Sequence, residues 1–337
     1  MQSIAFFNHK GGVGKTTMLF NIAIEMGRLG KRVLLVDFDA QANLTAIALD
    51  DVTLESLYSP GADGMTVAHA FAPLVSGAGD VSVPDAIEVR ENQVWLLPGD
   101  ITLSAFEEIL PSSWTEALAG TERGFRITSA PYRLWSEVGA ALNIDYVFLD
   151  LGPNVGPMNR SVLIGADYLV VPMASDLFSL RALPSVGQSL KTWVSQWHTA
   201  NAHPVAKALA FATQEGHPKL LGYVSQQFNV YRGDPTLAFQ NWIRQTPALV
   251  EKGLLAPLRE FDDGKGGTLA DPADQNDVEM GTLKNYHSLV PHAQSLRQAI
   301  FEMEQDEIIL ANQLTRARAS EDEFRALAEQ IIKRTAD

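Results

Sequence analysis

Ile4-Ala5-Phe6-Phe7 and, one residue on, His9-Lys10-Gly11-Gly12-Val13-Gly14-Lys15-Thr16-Thr17 decide the fold. Four consecutive apolar residues read as a strand buried on both faces. After the glycine-rich turn, Thr16–Leu29 places Leu19, Ile22, Ala23, Met26 and Leu29 at helical spacing. Gly30 stops that helix, with Lys31 and Arg32 beside its negative end. Val33–Val36 is a second buried strand, ending at Asp37. Strand, helix, strand is a βαβ unit, so the sheet starts parallel with a right-handed crossover.

The turn matches the phosphate-loop pattern G-x-x-x-x-G-K-[ST] except at its first glycine, which is His9 here. Such a loop lets backbone N–H groups converge on phosphate oxygens, and the helix N-terminus adds its positive dipole end. Gly11, Gly12, Val13 and Gly14 would form that cradle. Lys15 would reach the β- and γ-phosphates, the Thr16 hydroxyl would take a magnesium site, and Thr17 would contact the α-phosphate. The competing reading is a plain glycine turn with two incidental lysines.

The lysine directly before the glycine pair, giving K-G-G-x-G-K-T over Lys10–Thr16, resembles the deviant Walker A loop of the ParA/MinD family of ATPases, above all its ParA-type members. The resemblance covers most of residues 1–300. It implies a P-loop NTPase of the α/β class with a doubly wound, mostly parallel sheet. It also implies ATP and Mg2+ as cofactors and an ATP-dependent homodimer in which Lys10 reaches the partner subunit's nucleotide. Asp37-Phe38-Asp39-Ala40-Gln41 fits the family's D-x-D segment. On that resemblance Asp39 serves the attacking water and the magnesium shell, and Asp37 helps to hold the site. The family's usual proline is Ala40 here, so a less rigid loop is expected. Asp145–Asp150 is an apolar strand ending in a carboxylate, where Asp150 would hold magnesium through water. Leu151-Gly152-Pro153-Asn154-Val155-Gly156 follows as a mobile loop able to sense the γ-phosphate, with one proline where the family usually has two. The implied catalytic set is therefore Lys10, Lys15 and Asp39, and the metal set Thr16, Asp39 and Asp150.

Elsewhere the pattern is weaker. Residues 51–94 read as loop and short helix, with helical spacing at Val67–Leu74. Val94–Pro98 reads as a strand, and Leu103–Leu110 as a short helix stopped by Pro111. Tyr168–Pro172 and Leu220–Val224 read as buried strands, with a helix over Ser179–Val194 despite Pro184. Residues 259–281 form an acidic loop, where Gly264-Lys265-Gly266-Gly267-Thr268 lacks the strand and the Lys-Thr pair of a second phosphate loop. Gly281–Tyr286 is expected as a last strand on the adenine side, by analogy with the family. Ser288–Glu302 and Glu321–Arg334 read as terminal helices. The expected organisation is one ATPase domain over 1–300, with insertions near 51–94 and 259–281. Helices in 301–337 would pack on the body or on a dimer partner.

Composition bounds the function. The chain has 337 residues, 46% hydrophobic and 20% charged, with 40 acidic against 26 basic side chains and a formal charge of −14. That charge works against whole-molecule attraction to nucleic acid or anionic lipid, so DNA binding would need a local basic patch. There is no cysteine, which removes disulfides, cysteine-bound zinc and iron–sulfur relatives of the nucleotide loop. The histidines show no metal-binding spacing. No leader or membrane span is read, so a cytoplasmic location is expected, nucleoid-associated if DNA is bound. Residues 303–337 carry eight acidic and five basic side chains, which argues against a membrane-targeting helix. Only nine residues precede the loop, so an operator-binding domain at that end is not expected. By positional analogy Lys219, Arg232 and Lys284 are DNA-binding candidates, with Arg244 a guess. The resemblance implies a partition or cargo-positioning ATPase with non-specific DNA and a ParB-like or other adaptor as partners. The alternatives are a MinD-like membrane-cycling ATPase, or the same switch recruited to mobile-element or phage-defence functions.

Overall fold

A computed structural model describes residues 1–59, 64–91, 93–174, 176–228, 230–231, 234–235, 237–261, 268–286, 288–304 and 311–336. Its centre is an eight-stranded sheet. The strands are β1 (Gln2–Phe6), β2 (Val33–Asp37), β3 (Ile87–Arg90), β4 (Val94–Leu97), β5 (Tyr146–Asp150), β6 (Tyr168–Ala174), β7 (Lys219–Phe228) and β8 (Glu279–Lys284). Their spatial order is β8-β7-β6-β1-β5-β2-β4-β3. Every neighbouring pair is parallel except β3 with β4. Because β1 lies between β5 and β6, the chain winds outward in both directions from it. That leaves a crevice at the carboxyl ends of the central strands, where α/β sheets bind ligands. Register brings Phe6 and Asp37 each level with Asp150.

Helices cover both faces. On one side lie α1 (Lys15–Arg28), α2 (Asn43–Ala48), α3 (Asp51–Tyr58) and, from the far end of the chain, α11 (Leu289–Ser295) and α12 (Ala311–Thr335). The other side carries α4 (Val67–Ser76), α5 (Ser104–Leu118), α6 (Glu122–Thr128), α7 (Ala130–Ala141), α8 (Pro157–Gly165), α9 (Leu177–Asn201) and the end of α10 (Leu237–Val250). Alternate residues feed the two cores, with Ile4, Phe6, Val33 and Leu35 on the α1 side and Ala5, Leu34 and Val36 opposite. This two-sided burial is why the central strands read as unbroken apolar runs.

Three expectations are corrected. Pro111 does not stop its helix: α5 runs on to Leu118, with Pro111 on the exposed side and Phe106, Leu110, Trp114 and Ala117 buried. Burying that face outweighs the roughly 3 kcal/mol a helical proline costs. Residues 288–302 are not one helix. Arg297 adopts φ 54°, and the Gln298 N–H bonds back to the Ala293 carbonyl at 3.1 Å, closing α11 before a separate turn at Ile300–Glu302. Finally, 51–94 holds the antiparallel edge strand β3 beside its helices. In α12 the stripe Phe324, Leu327, Ala328 and Ile331 is buried against the body. Among the described residues no helix is long and apolar enough to cross a membrane.

Candidate nucleotide-binding site

The loop from β1 to α1 occupies the crevice. Gly12 (φ 71°) and Gly14 (φ 79°) take left-handed backbone conformations, which glycine adopts without steric penalty. Gly14 caps α1 with no side-chain bond, so the helix's first N–H groups remain available to an anion. The buried Asn8 fastens the loop from behind, donating to the Pro172 carbonyl at 2.6 Å and accepting from Lys10 N at 3.2 Å. Residues 10–17, with Asp39, Gln41, Asn43 and Pro153, line a cavity of about 600 Å³.

Lys15, Thr16 and Asp150 meet at its floor. The Lys15 ammonium is ion-paired with Asp150, both side chains being almost completely buried. The Thr16 hydroxyl donates to the other Asp150 oxygen at 2.8 Å. Asp39 lies beside them, its carboxylate accepting from Gln41 N at 3.0 Å and its carbonyl from Ala42 N at 2.8 Å. Those two bonds close the turn that the missing proline at Ala40 leaves unrestrained. Lys10 sits on the rim with its side chain 34% exposed, paired with Asp176, which also accepts from Ser179 N at 3.1 Å in the first turn of α9.

The residues suit a magnesium–nucleoside triphosphate. Hard oxygen donors from Thr16, Asp39 and Asp150 match that cation, whose remaining positions are ordinarily filled by phosphate and water. Among the described residues there is no cluster of three or more His, Cys, Asp or Glu able to hold a metal ion alone. When bound, the cation would neutralise phosphate charge.

Asp37 faces away from the cavity. Its Oδ2 accepts from Thr45 N at 2.9 Å and Thr45 Oγ1 at 2.7 Å, and its Oδ1 accepts from Asp39 N at 3.2 Å. Thr45 Oγ1 accepts in turn from Gly99 N at 2.8 Å, and Tyr58 OH donates to the Gly99 carbonyl at 2.7 Å. A Cβ at Gly99 would stand 2.8 Å from the Asp37 carboxyl carbon, so only glycine fits there. Burial, and then the neighbouring Asp150, push the Asp37 carboxyl up to about 7.

Next to the phosphate loop, Gly14, Thr17, Met18, Gln226, Tyr286 and Phe324 help to line a smaller cavity of about 90 Å³ at the end of β8. Gln226 is buried there, with its amide 3.4 Å from the Met18 sulfur. The Tyr286 hydroxyl bonds Glu323 of α12. Sequence reasoning reached this wall only through residues 281–286. It missed Gln226, Phe324, Thr45 and Asp176, whose roles depend on partners distant in the chain. Lys219 opens β7 and lines a separate cavity with Asp167 and Glu215. Lys284 ends β8 and bonds Glu323 at 2.5 Å. Lys284 is level with Phe228, at the other end of β7 from Lys219, so the two lysines lie on the order of 30 Å apart. Arg244 is exposed on α10, and Arg232 lies outside the described residues.

The sequence profile of the AAA domain family matches residues 1–201. The chain belongs to that family, as a P-loop ATPase of the ParA/MinD type. It is 29% identical over 191 residues to the chromosome-partitioning ATPase Soj of Thermus thermophilus, covering 57% of this chain and 62% of Soj. The chain thus spans about three fifths of the length of several curated relatives it matches. Protein DIP2308 of Corynebacterium diphtheriae superposes with a TM-score of 0.68 at 29% identity, over 88% of this chain and 97% of that one. The ATP complex of a Cyanothece McdA variant shares the fold, with a TM-score of 0.62 at 15% identity over 98% and 96% of the two chains.

Proposed function

We propose that the protein is a nucleotide switch of the ParA kind, which dimerises around ATP and returns to single chains through slow hydrolysis. The observation that carries this reading is the convergence of Lys15, Thr16 and Asp150 beside Asp39, with Lys10 on the open rim. In the proposed cycle Lys15 neutralises the phosphates of its own nucleotide and Lys10 those of a second copy. The γ-phosphate favours the paired state because it adds contacts that ADP lacks. Asp39 orients the attacking water. Catalysis is then mainly positioning and electrostatics.

We further propose partition or cargo positioning on non-specific DNA, with an adaptor protein that stimulates turnover. Support comes from the likeness to a chromosome-partitioning ATPase. Lys219, Arg232 and Lys284 are the proposed phosphate contacts, but Lys219 and Lys284 stand at opposite ends of β7 and form no single patch, so each would meet the DNA separately. With a chain charge of −14, binding through so few cations is weak, and its salt dependence is shallow because the slope scales with the number of phosphates neutralised. Burial of the α12 stripe favours this reading over membrane cycling.

The test is a gel-shift with long random DNA under Mg·ATP, Mg·ADP and no nucleotide, with phosphate release measured in parallel. Retardation only with Mg·ATP, persisting in Asp39→Ala while its hydrolysis is lost, is the expected result. Retardation indifferent to nucleotide, or wild-type turnover in Asp39→Ala, contradicts it.

A further inference from the structure

The loop between β5 and α8, residues 151–156, roofs the cavity that holds the phosphate loop. Pro153 lines that cavity, and a Cβ built on Gly11 would meet its ring at 3.6 Å. A Cβ built on Gly152 would lie 3.5 Å from the Asp39 carboxylate. Gly152 and Gly156 give the loop conformational freedom, and Pro153 fixes only its own φ. Within it, Asn154 Oδ1 accepts from Gly156 N at 2.7 Å.

The restraint comes from Asn159 in the first turn of α8. The residue is 2% exposed, and its amide nitrogen donates to the Gly152 carbonyl at 2.7 Å and to the Asn154 carbonyl at 2.6 Å, with a longer contact of 3.3 Å to Asn154 Oδ1. A side-chain amide has two N–H groups, and these two carbonyls flank Pro153, which has no N–H of its own. Both oxygens are therefore drawn onto α8. Left free, either could turn toward the cavity and present a partial negative charge where a γ-phosphate would sit.

We propose that Asn159 is the positioning residue of the phosphate-sensing loop. It keeps the two carbonyl dipoles off the third phosphate and holds Gly152 against Asp39. This role deepens the ATPase reading and rests on it. A residue that merely satisfied loop carbonyls would affect folding and both nucleotides alike. A positioning residue acts on the ligand that carries the γ-phosphate and on its turnover.

Asn159→Asp preserves shape but replaces the donor amide by an acceptor, and Asn159→Ser retains one donor. The measurements are ATP hydrolysis, equilibrium affinity for Mg·ATP and Mg·ADP, and melting temperature. Asn159→Asp should lower kcat about tenfold or more and weaken ATP about tenfold relative to ADP, with ADP affinity within about twofold of wild type. Asn159→Ser should fall between. If the Asp variant does not fold, the Ser variant decides by the same ratios. Equal weakening of both nucleotides together with a lower melting temperature, or a kcat within about twofold of wild type, overturns the proposal. A wild-type protein that fails to bind Mg·ATP overturns the ATPase reading as well, whereas active wild type with unaffected variants sinks only the role of Asn159.

Discussion

Lys15 is the side chain on which the site's electrostatics turn. Its ammonium is buried against Asp150, so removing it leaves a carboxylate without its counter-charge. Lys15→Ala should lose Mg·ATP binding, measurable by calorimetry, and should also lower stability by about 3–5 kcal/mol in denaturant melts. Asp37 makes the opposite kind of demand. Its folded carboxyl keeps a proton up to about 7, whereas an unfolded aspartate releases it near 3.9. The folded state therefore binds more protons across that window, and stability falls as pH rises from about 4 through 7. Asp37→Asn should flatten the melting temperature of the nucleotide-free protein between about pH 5 and 8. An unchanged slope would show that other groups set it. Lys15 and Thr16 could be named from the loop pattern and Asp150 from an apolar strand that ends in a carboxylate, whereas Lys10 and Asp39 could be named only through the resemblance to the ParA/MinD loop. Asp176 and Asn159 could not be named. Asp176 meets Lys10 across 166 positions of chain, and Asn159 looks like any polar residue opening a helix.

At the scale of elements, α1 carries the phosphate loop at one end and an ion-pair clamp near the other. Glu25, fully buried, accepts from Arg325 of α12 at 2.7 Å. Arg28 bonds Glu321 of α12 at 3.1 Å. Arg325→Ala should lower the melting temperature, because Glu25 keeps its burial and loses its hydrogen-bond donor, leaving the Arg28 guanidinium at 3.9 Å. Adding Glu25→Gln should recover part of that loss, which a double-mutant cycle by thermal melting reads directly. Two independent losses that simply add would contradict the clamp. The opening β1-α1-β2 unit was legible because one apolar pattern, one glycine stop and one carboxylate fell in order. Helix α5 was misread at Pro111 because local propensity is overridden by a buried face containing Trp114 and Ala117. The break at Arg297 was unreadable, since a left-handed arginine carries no glycine or asparagine signal. Strand β3 is four residues long and has one neighbour, too little pattern to announce itself.

For the whole molecule, the strand order sets the phosphate loop at the point where the sheet winds both ways. A succession of apolar runs foretold a doubly wound parallel sheet, but not which strands would be neighbours. That depends on crossovers that local periodicity does not encode. The central claim is that one lysine serves its own nucleotide and the other a second copy's. Light scattering during size exclusion, with Mg·ATP and Mg·ADP, on wild type and Lys10→Ala, tests it most directly. Wild type should move from the 36.8 kDa of one chain to about twice that mass with ATP alone. Lys10→Ala should bind ATP and stay at one chain's mass. A Lys10→Ala protein that doubles its mass with ATP as readily as wild type would contradict the account.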